Sequence, residues 1–212
     1  MKRVIYGLLG ILALTACLSM AAPKPAIVPG PAQWTIDTEY THPQQIFLRR
    51  TPDNKPIVFW YVIITLTNKT GDDVDFYPKC DLMTDTFHII PEGKDVMPAV
   101  FEQIKQRHKS RYPFLESLGR ADNKLLQGED NTKDIAVIWP DFDEKAKKIT
   151  LFITGLSNET AVVNHPVAKV ENGQPQKIFL RKTLELSYAV KNDPASRNGV
   201  NVGFKGKRWI MR

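Results

Sequence analysis

Alternation of apolar and polar side chains is the main pattern from residue 33 onward. Residues 34–41 place Trp34, Ile36 and Tyr40 on one face and polar side chains on the other, which predicts a half-buried strand. Residues 58–67 are apolar on one face and partly apolar on the other, so a central strand is expected there. The last long strand is predicted over residues 177–190, where Lys182 interrupts the apolar face and indicates a bulge or an edge.

Shorter strands are indicated between these segments by apolar runs that end at Pro, Gly, Asn or Asp. The turn at residues 68–73 is expected to start a returning strand at 74–77. The remaining strands are predicted at 45–49, 81–90, 134–139, 148–154, 161–170, 200–204 and 208–211. This pattern, with no internal repeat, predicts a mainly β protein in which residues 33–212 form a single two-layer antiparallel β-sandwich domain.

Residues 96–128 interrupt the strand pattern and predict a helical insertion in the sandwich. One helical face carries three apolar residues and a histidine, namely Val100, Phe101, Ile104 and His108. Residues 114–118 precede a glycine and indicate a second short helix. We expect the three apolar residues to cover an open end of the sandwich.

The basic outer face of the insertion is the candidate binding surface, because long excursions from a sandwich commonly carry binding residues. It consists of Lys105, Arg107, Lys109 and Arg111. Their charge favours an acidic partner; together with the export signal described below, this makes an envelope protein or an anionic surface component the expected partner. The alternative is a solvated helix face without a partner.

Residues 1–21 have the features of an export signal: a basic start, an apolar run and then small residues. The apolar run is too short to span a bilayer. Residues 14–17, Leu-Thr-Ala-Cys, resemble the lipobox of bacterial lipoproteins, which implies cleavage before Cys17 and a lipid on that residue. Leu18 in place of Asp then implies sorting to an outer membrane. The alternative is cleavage after Ala21, which releases a periplasmic or secreted protein.

Proline is frequent in residues 22–32, which predicts an extended tether between the anchor and the domain. Either cleavage leaves Cys80 without an intramolecular disulfide partner, since Cys17 is lipidated or removed. A buried thiol is the expected state of Cys80, and intermolecular pairing stays open.

The charge balance argues against a nucleic-acid partner. The chain has 212 residues and a formal net charge of +6, and without Lys2 and Arg3 of the leader this falls to +4. That bias is mild, and the basic residues are spread along the whole chain rather than clustered. A composition of 42% hydrophobic and 25% charged residues also excludes a disordered chain.

Chemical motifs are lacking, and no catalytic, cofactor or metal residue is predicted. The four histidines are far apart in sequence and form no metal-binding pair. The acidic groups at 72–75 and 141–144 are expected to form solvated turns rather than calcium sites. Convergence of Cys80, His88 and acidic loops would indicate a metal-dependent hydrolase. Exposed Tyr77 and Trp139 beside a groove would indicate a small-ligand or glycan binder.

Several segments resemble those of known bacterial proteins. Residues 60–62, 68–71 and 76–78 resemble the strand and turn pattern of immunoglobulin-like sandwiches in bacterial envelope proteins. Residues 155–157, 180–184 and 207–212 are similar to recurrent segments of a group of uncharacterised secreted bacterial proteins. The resemblance implies an immunoglobulin-like fold and an envelope location, and it implies no activity. The expected function is therefore a non-enzymatic, lipid-anchored or secreted interaction or structural module, without a cofactor.

Overall fold

The computed structural model describes residues 26–27, 33–49, 55–190 and 202–212. The predicted export signal, Cys17 and the predicted tether apart from residues 26–27 lie outside the described residues, as do positions 200 and 201 of a predicted strand. The described chain is mainly β, as predicted. It contains one α-helix, α1 (Pro98–His108), and these strands: β1 (Ala26–Ile27), β2 (Asp37–Tyr40), β3 (Gln44–Leu48), β4 (Ile57–Asn68), β5 (Val74–Asp75), β6 (Lys79–Thr84), β7 (Ile89–Pro91), β8 (Glu116–Ser117), β9 (Lys124–Leu125), β10 (Gly128–Pro140), β11 (Lys148–Thr154), β12 (Thr160–Lys169), β13 (Pro175–Ala189) and β14 (Gly203–Met211).

A five-stranded sheet is organised around the long strand β4. Strand β10 pairs antiparallel with one edge of β4, while β2 and β3 share the other edge. The short strand β8 adds a parallel pairing to β10. The prediction of a central strand at 58–67 is confirmed, because β4 has partners on both edges and is buried over most of its length.

A seven-stranded sheet has the order β1, β12, β13, β11, β6 and β7, with β14 also paired to β13. The long strand β13 pairs first with β12 and then with β11, and the two partners are separated by a break at residues 155–159. Gly155 lies at this break with φ +87°, and a Cβ there would be 2.5 Å from the Tyr77 carbonyl oxygen. Only glycine therefore fits this close approach.

The two sheets pack face to face over a shared apolar core. Strand β4 contributes alternate residues such as Trp60 and Ile64, and strands β11 and β13 contribute Leu151 and Leu186. All four side chains are fully buried. The alternation noted in the sequence therefore separates the core face from the opposite face of each strand.

A second apolar core lies on the outer face of the five-stranded sheet, beneath α1. Val100 and Ile104 of the helix pack there with Tyr61, Ile63 and other residues of the sheet. The expectation that the helix covers an open end of the sandwich is therefore wrong. Strand β4 is apolar on its second face too, so this face needs a covering layer.

Three local predictions are also corrected. Residues 114–118 do not form a second α-helix, because β8 pairs there with β10 and a 3-10 turn follows at Leu118–Arg120. The segment after the turn at 68–73 pairs with β9 instead of β4, and the Asn68 amide helps to hold the two segments together by donating to the Leu125 carbonyl at 2.9 Å. Residues 81–90 form two paired strands, β6 and β7, rather than one.

Lys182 is not the site of a bulge. The register shift between β13 and β14 lies between Ser187 and Tyr188. Lys182 instead lies opposite the break between β11 and β12, where its ammonium group pairs with Glu159 and donates to Thr35 Oγ1 at 3.2 Å. The charged side chain on the apolar face is thus neutralised by a partner from the adjoining loop.

Candidate interaction surface beside helix α1

Helix α1 begins with a proline in its first turn and has Lys105 and Arg107 in its last turn. Proline suits the first turn because its missing N–H has no helical partner there. The basic residues complement the partial negative charge at the helix C-terminus. Val100 and Ile104 fix the helix on the sheet, so its two flanks and its outer face stay accessible.

The four predicted binding residues do not form one uniform basic surface. Arg107 turns toward the sheet, where it donates to the Gln45 carbonyl at 3.1 Å. Arg111 lies 5.3 Å from the Tyr112 ring centre, and Lys105 lies 5.9 Å from the Phe101 ring centre. Lys109 is exposed. Lys105 is exposed as well, whereas Arg107 also holds the helix end to the sheet.

His108 joins the end of α1 to the centre of the sheet. Its Nε2 lies 2.8 Å from the Tyr61 hydroxyl, and the two rings meet edge to face. Burial lowers the pKa of His108, and the neighbouring charges of Arg107 and Arg111 lower it further. The imidazole is consequently neutral near pH 7, which limits the positive charge at this point. The sequence pattern places Tyr61 on the central strand and gives no sign of its contact with His108.

An apolar cavity of about 230 Å³ lies between the start of α1 and the sheet. Ala136 and Ile138 of β10 line it, together with Met97 and Phe101 beside the helix. Because Ala136 is small, it leaves room where its neighbours on β10 have larger side chains. The small residue at position 136 is the only trace of the cavity in the sequence, and it is too weak a pattern to predict a cavity.

The rim of this cavity is charged. Glu92, Glu102 and Arg120 contribute to the lining beside the apolar residues. Burial raises the pKa of Glu92, because water is partly removed from its carboxyl group. An apolar recess with a few polar groups at its mouth is the usual composition of a binding site for a small ligand or for one side chain of a partner.

A second, polar groove lies at the break between β11 and β12. Tyr77 is 63% exposed there, and Trp34, Asn158 and Arg181 contribute to the same groove. Trp139, in contrast, is fully buried in the core between the sheets. Of the two aromatic residues that would indicate a ligand groove, only Tyr77 is thus in a suitable place.

The histidine, cysteine and acidic residues that could bind a metal do not come together in the described residues. Within residues 33–49, 55–190 and 202–212, no group of three or more His, Cys, Asp or Glu residues could hold a metal ion. Cys80 is buried as predicted, and burial raises the pKa of its thiol well above the ordinary value. In the acidic turn at 141–144, Asp141 accepts a hydrogen bond from Trp60 Nε1 at 2.7 Å.

No protein-family model, curated protein or solved structure matches the chain. In the described part of the chain, α1 is too short and too polar to cross a bilayer, and no other helix could do so.

Proposed function

We propose that the chain is a non-catalytic interaction module of the bacterial cell envelope. Residues 1–21 would direct its export, and a lipid on Cys17 would anchor it to the outer membrane. The immunoglobulin-like class of the sandwich is part of this proposal, and the two mainly antiparallel sheets over one shared core support it.

The cavity beside α1 is the observation that carries the proposal. Its apolar lining and its volume of about 230 Å³ suit one or two apolar side chains of a protein partner. A buried apolar anchor surrounded by polar groups is the common arrangement at the centre of protein interfaces. Lys105 lies on the same helix and Lys109 directly follows it. Both favour acidic residues on the part of the partner that covers the helix.

The test blocks the cavity without disturbing the backbone. Gly119 lies at the cavity, and a Cβ at this position would meet no atom within 4 Å. We expect Gly119→Leu to abolish a specific contact made through the cavity. Gly206→Leu is the matched control, because a Cβ at Gly206 on β14 also meets nothing within 4 Å.

The readout is photo-cross-linking in the native cells from a cross-linker placed at Glu102. The proposal expects one dominant protein adduct that Gly119→Leu removes, that Lys105→Glu weakens and that Gly206→Leu leaves unchanged. The mass of the mature N-terminus is measured in the same sample. An adduct that is insensitive to Gly119→Leu would contradict binding through the cavity, and a chain that begins at Ala22 would contradict the anchor.

The groove at Tyr77 supports a second candidate function, the binding of a small ligand or glycan. An exposed aromatic ring can stack on the apolar face of a sugar, and Arg181 and the Asn158 side chain border the same groove. Titration of the protein with envelope oligosaccharides, followed by NMR, tests this function. Tyr77→Ala is expected to remove the binding, whereas Phe87→Ala, at another exposed aromatic ring, is expected to leave it intact.

A further inference from the structure

The β12–β13 hairpin carries a two-stranded ribbon that buries little on either face. Residues 164–181 are exposed or partly exposed throughout, although the strands pair from Thr160 with Arg181 to Lys169 with Pro175. Four large apolar side chains are exposed on it: Val167 at 81%, Val170 at 47%, Ile178 at 36% and Phe179 at 63%. A two-stranded ribbon is marginally stable alone in water, so a covering surface would stabilise this one.

The charges of the ribbon favour an anionic surface. Between residues 160 and 181 the basic side chains are Lys169, Lys177 and Arg181, and the acidic side chain is Glu171. Lys177, Phe179 and Arg181 are alternate residues of β13 and therefore share one face of the strand. An aromatic ring between two cations is a typical composition at a membrane interface, where the ring enters the headgroup layer and the cations contact phosphates.

The free edges of the ribbon argue against pairing with a strand of another protein. Pro166 lies in β12 and Pro175 begins β13, and proline has no N–H to donate to a neighbouring strand. Lysines on edge strands have the same protective effect. Contact through a face is therefore favoured over addition of a strand.

The N-terminal segment ties the ribbon to the anchor. Ala26 and Ile27 form β1 and pair with Val162 and Ala161 near the base of the ribbon. Eight residues lie between Cys17 and Ala26, and the nine Cα–Cα steps from one to the other span at most about 30 Å. Between Val162 and Lys169 of β12 the partner strand advances only from Phe179 to Pro175, so this paired part of the ribbon is roughly 13 Å long. A lipid on Cys17 would thus keep the whole ribbon within reach of the bilayer.

We propose that the β12–β13 ribbon lies against the anionic lipid surface of the membrane that carries the anchor, with Phe179 in the headgroup layer and Lys177 and Arg181 on lipid phosphates. This inference rests on the proposed export and anchoring. It adds an orientation: the ribbon faces the lipid, and the domain is held at the membrane by two contacts rather than by the anchor alone.

The experiment measures the polarity around a fluorophore on the full chain, purified from cells in its mature form. An environment-sensitive dye is attached at Val167→Cys on the ribbon. The control is the same dye at Phe114→Cys beyond the end of α1, because Phe114 is 84% exposed and Val167 is 81% exposed. The protein is placed on vesicles of phosphatidylethanolamine and phosphatidylglycerol. We expect a blue shift and quenching by spin-labelled lipid at Val167→Cys and neither effect at Phe114→Cys.

Charge and apolar variants then test the residues named. In the labelled Val167→Cys chain, Lys169→Glu with Lys177→Glu should weaken the vesicle-dependent signal several-fold, and Phe179→Ala should weaken it about tenfold. Lys145→Glu, at an exposed residue of a distant turn, should have no effect. Far-UV circular dichroism verifies that each variant is folded.

Two results would overturn the inference. One is a dye at Val167→Cys that stays as exposed to water as the dye at Phe114→Cys. The other is a blue shift at Val167→Cys without vesicles, which would mean that a second copy covers the ribbon. The mass of the mature N-terminus reports on the anchor independently. A chain without lipid would contradict the anchoring proposal, while its response to added vesicles would still decide the contact of the ribbon.

Discussion

Removing the side chain of Ile104 should destabilise the whole domain, because α1 covers an apolar sheet face. Ile104 is fully buried between the helix and the five-stranded sheet. Ile104→Ala deletes three carbon groups, which corresponds to roughly 2.4 kcal/mol of lost transfer free energy. The neighbours of Ile104 lie on a paired sheet and cannot collapse fully into the space, so a cavity cost raises the loss to about 3–4 kcal/mol.

Urea unfolding followed by circular dichroism and tryptophan fluorescence measures this loss. With a slope of about 2–3 kcal/mol per molar urea, the unfolding midpoint should fall by roughly 1–2 M. Gln103→Ala, at an exposed position of the same helix, should change the free energy of unfolding by less than about 0.5 kcal/mol. Both probes should report one transition in all variants.

A loss below about 1 kcal/mol for Ile104→Ala would refute the reasoning. It would mean that the helix contributes little to the core and is held by other contacts. An early transition of the far-UV signal alone would have the same meaning, since it would show that α1 detaches before the sheets unfold.

Three further predictions concern single residues elsewhere in the fold. Burial raises the pKa of Glu92 above 4.5, so its contribution to stability is present below pH 4.5 and is lost as pH rises through the folded-state pKa. Urea unfolding should show that Glu92→Gln stabilises the protein at pH 7 but not near pH 4, and equal effects at the two pH values would contradict the burial of this carboxyl group. Gly155→Ala should lower the free energy of unfolding in urea by more than roughly 3 kcal/mol, because its Cβ would clash with the backbone of another segment. Gly173→Ala, with a similar φ and open space around its Cβ, should lower it by about 1–2 kcal/mol, and equal losses would contradict the clash. Cys80 is buried with a raised thiol pKa, so a thiol reagent at pH 8 should leave it unmodified in the folded chain and modify it in urea. Mass spectrometry of the Cys80 peptide measures this, and rapid modification of the folded chain would contradict the burial.

The order of apolar and polar residues was enough to predict the mainly β class and the long elements. Strands β4 and β13 lie within about two residues of their predicted bounds, and helix α1 lies inside the helical insertion predicted at 96–128. Their signals are local, since a period of two or of 3.6 residues is read from neighbours in the chain. The burial of Val100 and Ile104 was predicted for the same reason.

The partners of these elements depended on tertiary contacts. The pairing of β5 with β9 joins two segments that are distant in sequence, and the Asn68 amide supports it by donating to the Leu125 carbonyl. The helix covers a sheet face rather than an open end because β4 carries apolar side chains on both faces, and a strand's apolar pattern does not say which layer lies on each side.

In the candidate sites, too, the residue types could be predicted from the sequence but their contacts could not. The basic residues of α1 were visible in the sequence, but the turn of Arg107 toward the sheet depends on the Gln45 carbonyl of a distant strand. The cavity lined by Ala136 exists because the helix and β10 meet there. Sequence patterns therefore determined which residues are apolar, charged and periodic, whereas packing between distant segments decided which of them share a surface, because such contacts have no fixed spacing along the chain.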